Sequence, residues 1–171
     1  MWQNKCSSFL LGGDFINTDT CFFIGHRDAP DSLLPELIRQ AERHITEYGV
    51  REFAVGRYGR FDFLAAAAVQ KVKENYPDVR LVYLRPYHPA ERPIKTPKGF
   101  DSSFYPPGME DVPKPLAIIR ANRYMVDHSG YLIAYAWRPG NARELAEYAQ
   151  ARERRGYIHV ENLAGTEGLS C

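Results

Sequence analysis

Four short segments of the sequence place glycine, arginine or both directly after an apolar run. They are GHRD at 25–28, GRYGRFD at 56–62, RPYHP at 85–89 and WRPGN at 137–141. Glycine lets the backbone approach a ligand closely, and the arginine guanidinium pairs with phosphate oxygens. The aromatic rings of Tyr58 and Trp137 offer faces on which a base can stack. The chemistry indicated by these segments is the binding of a phosphorylated ligand that contains a ring.

The apolar runs before these segments have the pattern of strands separated by amphipathic helices. Strands are predicted at 20–25, 52–56, 80–86, 130–137 and 157–163, and helices at 31–49, 60–77, 115–129 and 141–156. Near-continuous apolar strands that alternate with helices are typical of a parallel sheet covered on both faces. We therefore predict one three-layer, doubly wound, Rossmann-like α/β domain over residues 1–171, with a mainly parallel five-stranded sheet in the order 3-2-1-4-5.

The strand order decides where the polar segments meet. All strand-to-helix loops of a parallel sheet emerge at its carboxyl edge, and ligands bind there at the point where the strand order reverses. The order 3-2-1-4-5 puts this reversal between the first and fourth strands, beside helix N-termini that favour anions. The residues predicted to bind the ligand or its phosphate are Gly25, His26, Arg27, Gly56, Arg57, Gly59, Asp62, Arg138, Gly140 and Asn141.

Each of these residues also has a purely structural interpretation. Glycine often serves only to form a turn, a single histidine such as His26 is often a hydrogen-bonded structural residue, and Asp62 suits a helix N-terminus. The GRYG segment is neither a GxGxxG fingerprint nor a Walker A loop. The prediction of a site therefore rests on the convergence of several segments on one edge, and on no single motif.

The segment 86–115 has an unusual composition, because it holds eight of the twelve prolines of the chain. Four aromatic residues, Tyr87, Phe100, Phe104 and Tyr105, lie between these prolines. Such a composition does not support a regular helix. We expect either a surface excursion anchored by its aromatic side chains or a lid over the ligand. Residues 1–18 and 164–171 are predicted to be peripheral tails.

Composition and charge restrict the class of protein. Twenty-two Lys plus Arg against 21 Asp plus Glu give a net charge of +1, so binding to nucleic acid is not expected. No apolar run approaches the roughly 20 residues that cross a bilayer, and residues 1–15 lack a signal-peptide layout. Cys6, Cys21 and Cys171 form no CxxC pair, so neither a disulfide framework nor a metal site is expected. We predict a cytoplasmic protein that does not contact a membrane and requires no cofactor. The sequence leaves open whether the chain forms a homo-oligomer.

Six segments of the chain resemble a known family. CFFIGHRDAP, FAVGRYGRFDFLAAAAV, RLVYLRPY, ANRYMVDHSGYLIAYAW, ELAEYAQ and YIHVENL occur in that order between residues 20 and 163. Together they resemble the YpsA-like branch of the SLOG superfamily, the Rossmann-like group that also contains the LOG hydrolases and the DNA-processing protein DprA. The resemblance implies a bacterial cytosolic protein that holds a nucleotide or nucleotide derivative at the carboxyl edge of its sheet. The residues that match the family's motifs are Gly25, His26, Arg27, Gly56, Gly59, Asp62, Asn122, Arg123 and Asp127.

The loop after the fourth predicted strand departs from the LOG hydrolases. Those enzymes carry PGGxGTxxE, whose glycines hold the phosphate and whose glutamate serves the cleavage of an N-glycosidic bond. Aligned on Pro139, this chain has PGNARELAE, so Gly140 and Glu147 coincide, but the second and third glycines and the threonine are absent. The arginine that those enzymes place four residues before a methionine falls on Ala121, counted from Met125. The departure favours ligand binding over hydrolysis.

Three functions follow, and the leading prediction is a protein that binds or senses a small-molecule nucleotide or nucleotide derivative. The first alternative is an enzyme of LOG or deoxyribosyltransferase type, which hydrolyses or transfers at a nucleotide N-glycosidic bond. Such chemistry needs a carboxylate. The sequence assigns no catalytic residue, and the candidates are Glu144 and Glu147, with Asp28 and Asp62 also available. The second alternative is a non-catalytic protein-interaction module, which an exposed apolar patch around residues 100–105 would favour.

Overall fold

In the part of the chain that the structure describes, an open sheet of six parallel strands packs against four α-helices. The computed structural model describes residues 10–11, 14–15, 17–92 and 95–166. Two short strands, β1 (Leu10–Leu11) and β2 (Asp14–Phe15), form a separate antiparallel pair. The main sheet contains β3 (Asn17–Gly25), β4 (Glu52–Val55), β5 (Arg80–Leu84), β6 (Ser102–Phe104), β7 (Ser129–Tyr135) and β8 (His159–Asn162). The helices are α1 (Leu34–Tyr48), α2 (Arg60–Lys73), α3 (Ala117–His128) and α4 (Asn141–Glu153).

The spatial order of the strands is β6-β5-β4-β3-β7-β8, which corrects the prediction of five strands in the order 3-2-1-4-5. The added strand is β6, which pairs in parallel with the outer side of β5 and places Ser102 opposite Val82. The sequence did not reveal it because the three residues SSF are all half-buried and form no apolar run. The strand order reverses between β3 and β7, and the architecture is consistent with a Rossmann-like fold.

Side chains alternate between the two faces of the sheet, and helices cover both. On β3, Cys21 and Phe23 belong to the core beneath α1 and α2, whereas Phe22 and Ile24 belong to the core beneath α3 and α4. All four side chains are at least 94% buried, which explains the continuous apolar run at this point of the sequence. The central strand of the domain therefore ends at Gly25 between two helical layers.

The helix boundaries agree with the local sequence. A proline lies in the first turn of α1, and the helix ends at Gly49, whose φ of 73° is left-handed and whose N–H donates to His44 O. The cap residues of α2 and α4 are glycines, Gly59 and Gly140, and neither offers a side-chain hydrogen bond to the helix. The first backbone N–H groups of both helices thus point to the carboxyl edge without a side-chain cap.

The proline-rich segment 86–115 packs onto the sheet rather than forming a helix. Tyr87, Phe104 and Tyr105 are half-buried against the core beneath α3 and α4. Asp101 fixes the start of β6, since its Oδ2 accepts the Leu81 N–H at 2.7 Å and also binds the Lys73 ammonium. Residues 100–105 are half-buried apart from Asp101, so the exposed apolar patch that would favour an interaction module is not found there.

Two further expectations concern the termini and the membrane. Cys6, Cys171 and most of the two predicted tails lie outside the described residues, whereas Cys21 is buried and free, and burial raises the pKa of its thiol. Within the described ranges, no helix combines the length and the apolar character that a membrane crossing requires.

Candidate functional site

A cleft of about 290 Å³ lies at the carboxyl edge of the sheet, where the strand order reverses. The loops after β3, β4 and β7 line it, together with the first turns of α2, α3 and α4. Nine of the ten residues predicted to bind a ligand contribute to its walls: Gly25, His26, Arg27, Gly56, Gly59, Asp62, Arg138, Gly140 and Asn141. The fold therefore brings together residues up to 116 positions apart in the sequence.

The remaining predicted residues lie elsewhere. Arg57 lines a separate pocket on the other side of its loop. Glu144 lines a groove between α3 and α4. Glu147 accepts a hydrogen bond from Arg143 Nε at 2.8 Å, and both side chains are exposed. Neither glutamate lines the cleft itself, although Glu144 lines the groove that adjoins it.

Two glycines of the cleft are required by close contacts. A Cβ on Gly59 would lie 2.6 Å from Arg27 Cα, and a Cβ on Gly25 would lie 2.3 Å from the buried Phe61 ring. Arg60 N–H donates to Arg27 O at 2.8 Å, so the loops after β3 and β4 are also joined through the backbone. Glycine at these two positions serves the packing of the two loops, and this gives the cleft a rigid wall.

His26 connects the loop after β3 to the loop after β7. The imidazole is 94% buried, and its Nε2 accepts the backbone N–H groups of Trp137 at 3.0 Å and Arg138 at 3.3 Å. An Nε2 that accepts is unprotonated, and burial lowers the pKa of His26 further, so the ring is neutral at pH 7. The ring of Trp137 contacts it edge-on at 5.8 Å. His26 is therefore a positioning residue that shapes the cleft, which matches the structural interpretation of a lone histidine.

An ion pair crosses the rim of the cleft between the same two loops. Both guanidinium nitrogens of Arg138 donate to Asp28, Nη1 to Oδ2 at 2.7 Å and Nη2 to Oδ1 at 2.6 Å. The hydrogen bond from Arg138 lowers the pKa of Asp28, so this carboxylate is ionised at neutral pH. Arg138 lines the cleft as predicted, but its charge is balanced by Asp28 in this conformation. Among the described residues, no carboxylate lies within ion-pair distance of exposed Arg27.

Asp62 is a carboxyl group of the cleft whose pKa is raised well above its ordinary value. Burial raises the pKa of Asp62 to about 6, although the Tyr58 N–H, which donates to Oδ2 at 2.9 Å, and the charge of Arg27 act in the opposite direction. Asp62 lies in the first turn of α2, and its carboxylate also holds the loop that begins at Gly56. A carboxyl group that titrates near pH 6 inside a cleft is typical of functional sites.

The N-terminus of α4 supplies backbone donors to the opposite wall. Gly140 has a φ of 141°, which an L side chain rarely adopts, and this conformation turns the chain into the helix. The first intrahelical bond runs from Glu144 N–H to Gly140 O at 3.0 Å. Asn141 and Ala142 line the cleft and precede that bond in the chain. Their N–H groups therefore have no partner within the helix. With the helix dipole, they favour an anion at this wall.

The cleft continues into the groove between α3 and α4, whose volume is about 470 Å³. Ile24, Ile118, Asn122 and Asn141 line both spaces. In the groove, the Arg123 guanidinium lies 3.2 Å from the centre of the Tyr148 ring. Reasoning from strand ends missed Ile118, because α3 reaches the edge from a connection that precedes β7. Asn122 was marked only by the resemblance of its helix to the family motif.

Neither a metal-ligand cluster within the described residues nor a match to a known protein assigns a function to the cleft. In residues 17–92 and 95–166, no group of three or more His, Cys, Asp and Glu side chains is arranged to hold a metal ion. A scan against protein-family models and a search of curated proteins give no match. The function must therefore be argued from the cleft itself.

Proposed function

We propose that the chain binds a nucleotide or nucleotide derivative in the cleft, with a phosphate group on the loops after β3, β4 and β7. One observation carries this proposal: the glycine loops and two uncapped helix N-termini converge on one cleft at the reversal point of a parallel sheet. Such convergence provides backbone donors and positive helix ends for an anion.

Charge and shape support a phosphate in this position. Arg27 is exposed at the cleft, and Asn141 and Ala142 line the cleft at the start of α4, where their N–H groups have no partner within the helix. At pH values below about 6, Asp62 is protonated and no longer repels an anion. The phosphate would therefore lie between the loop after β3 and the N-terminus of α4.

The groove between α3 and α4 supports a place for the nucleoside. It opens directly from the cleft and combines the apolar side chains of Ile118 and Ile119 with the Tyr148 ring. Apolar and aromatic walls with a few polar groups are typical of sites for the ring part of a ligand. The resemblance to the YpsA-like branch of the SLOG superfamily leads to the same ligand class, and we propose that the chain is a member of that branch.

Calorimetric titration tests the proposal. The purified chain is titrated with nucleoside mono-, di- and triphosphates, nucleotide sugars and ADP-ribose, each at up to about 5 mM. We expect at least one of them to bind with a dissociation constant below about 1 mM. The variant Ala142→Asp adds a negative charge at the N-terminus of α4, so we expect it to weaken nucleotide binding by at least tenfold. Absence of binding across the panel would reject the proposal.

A second function, cleavage at a nucleotide N-glycosidic bond, is favoured by one observation. Asp62 lies in the cleft with a pKa of about 6, which suits a group that donates a proton to the base as the C–N bond breaks. Its carboxylate would then take the proton that water releases on adding to the sugar carbon. In that case Asp62 would take the role that the sequence offered to Glu144 or Glu147. Chromatography of each nucleotide after incubation with the chain tests this function, which requires release of free base by the wild type and its loss in Asp62→Asn.

A further inference from the structure

A second pocket borders the cleft on the other side of the loop 56–59. Its volume is about 210 Å³, and we call it the arginine–tyrosine pocket after its lining by Arg57, Tyr58, Tyr83, Arg85, Tyr87 and Arg92. Three guanidinium groups in so small a space give it a positive charge at every physiological pH. The pocket is formed by the carboxyl ends of β4 and β5, so it belongs to the same edge of the sheet as the cleft.

The tyrosine rings hold the cations in place. The Arg92 guanidinium lies 4.7 Å from the centre of the Tyr87 ring, and that of Arg85 lies 5.8 Å from the Tyr83 ring. Stacking on an aromatic face leaves the edge of a guanidinium, with its N–H donors, available to a ligand. These contacts arrange the donors before any ligand arrives.

Two of the three arginines of the pocket lack an ion pair with any carboxylate of the described residues. Arg57 and Arg92 are exposed, and no carboxylate of the described residues lies within ion-pair distance of either. The contrast with Arg138 is informative, since Asp28 binds both of its terminal nitrogens at the rim of the cleft. A concave site in which the guanidinium groups of Arg57 and Arg92 have no carboxylate partner has the chemistry of a phosphate site.

Tyr58 joins the two spaces. Its side chain lines both the cleft and the arginine–tyrosine pocket, and its backbone N–H is fixed by Asp62 Oδ2. Burial raises the pKa of the Tyr58 hydroxyl, so it remains a neutral hydrogen-bond group between them. A ligand that carries a phosphate in the cleft therefore has the pocket directly beside it.

We propose that the arginine–tyrosine pocket is a second phosphate site, which receives the distal phosphate of a nucleotide whose first phosphate lies in the cleft. The inference rests on the proposed nucleotide site and narrows its ligand class to nucleotides with a polyphosphate chain. Arg57 and Arg92 contact the distal phosphate, and Tyr58 lies beside the chain between the two sites.

Calorimetry with three probes tests the second site. The wild type and the double variant Arg57→Gln/Arg92→Gln are titrated with a nucleoside 5′-monophosphate, the corresponding 5′-triphosphate and inorganic pyrophosphate. Arg154→Gln, an exposed arginine at the end of α4, is the control for the loss of positive charge. We expect the wild type to bind the triphosphate at least tenfold more tightly than the monophosphate, and this ratio to fall to about one in the double variant but not in the control.

The outcomes separate this inference from the proposed function. Equal affinities of the wild type for the two nucleotides, or a ratio that the double variant leaves unchanged, would overturn the second site while the nucleotide site stands. If neither nucleotide binds, the proposed function fails. In that event, loss of pyrophosphate binding in the double variant supports the pocket as a phosphate site, and absence of pyrophosphate binding to the wild type rejects it.

Discussion

Two cavities at opposite ends of the sheet differ in size and in chemistry. The larger, of about 580 Å³, lies at the amino edge and is lined by residues that include Glu52, Arg80, Ser102 and His128. The cleft at the carboxyl edge has half that volume. Yet the charged groups of the larger cavity have partners, because Arg80 donates to Ser102 Oγ at 3.0 Å and lies 3.9 Å from Glu52. Volume alone therefore does not decide between the two cavities as the proposed ligand site.

The direction of the helices explains the difference. In a parallel sheet, each helix begins at the carboxyl edge and ends at the amino edge, so positive helix ends meet at one edge and negative ends at the other. At the amino edge α3 ends at His128, whose Nδ1 donates to Tyr124 O at 2.8 Å. At the carboxyl edge α2 and α4 begin after glycines that offer no side-chain cap, and the first N–H of α2 donates to Arg27 O. The helix ends at the carboxyl edge therefore favour an anion, whereas those at the amino edge do not.

The largest effect is expected from added volume in the wall of the cleft. Gly25→Ala places a methyl group 2.3 Å from the buried Phe61 ring, so the core beneath α2 has to shift. We expect the free energy of unfolding to fall by about 3 kcal/mol, measured by urea denaturation. Gly165→Ala, where a Cβ meets nothing within 4 Å, is the matched control and should change it by less than about 0.5 kcal/mol. Similar values for the two variants would contradict a rigid wall.

Loss of the imidazole at position 26 is expected to have the next largest effect. His26→Ala leaves the N–H groups of Trp137 and Arg138 without their acceptor in a buried position. We expect a loss of about 2 kcal/mol in the free energy of unfolding, together with weaker nucleotide binding. The exposed His88→Ala serves as the control. A stability equal to that of the wild type would show that His26 does not hold the two loops together.

The charge of Asp62 should set the pH dependence of binding. The pKa of Asp62 is raised to about 6, so the wild-type carboxyl is largely neutral at pH 5 and ionised at pH 7.5, where it repels an anion. We expect the ratio of affinities, Asp62→Asn over wild type, to rise about fivefold from pH 5 to pH 7.5 in calorimetric titrations. The ratio cancels the titration of the phosphate itself, which also occurs near pH 6. A ratio that does not change with pH would show that the charge of Asp62 does not affect the bound ligand.

The smallest effect is expected at the amino edge. Arg80→Gln removes a charge from the larger cavity, where an exposed ion pair contributes little to stability. We expect a change below about 0.5 kcal/mol in the free energy of unfolding and no change in nucleotide affinity. Weaker nucleotide binding by this variant would place the ligand in the larger cavity and reverse the comparison of the two edges.

Periodicity predicted the elements that bury continuous apolar runs and missed the one that does not. The run 21–24 indicated β3 because both faces of that strand are covered. Strand β6 is only half-buried and lies among prolines, so its sequence carries no such pattern. Its pairing with β5 is a tertiary effect that local propensity does not encode.

The sequence at the strand ends predicted which residues would line the cleft. It did not predict what each side chain contacts there. Arg57 and Tyr58 are neighbours in one loop, and only the folded backbone decides that Arg57 faces the second pocket. Likewise, the bond between Asp28 and Arg138 joins positions 110 residues apart. The packing of the two loops against each other determines which side chains pair. The spacing of the residues in the sequence does not indicate this packing.

The hydrogen bond from Trp137 N–H to His26 joins segments 111 residues apart, so the cleft cannot form until both segments have been synthesised. When β3, β4 and β5 have left the ribosome, the residues of the loops after β3 and β4 have been synthesised. The loop after β7, which forms the opposite wall of the cleft, has not yet been translated. Contacts of such long range form late, because the chain between them must first be ordered. The proposed ligand binding thus requires both walls of the cleft, and we expect truncated products that end before β7 to lack it.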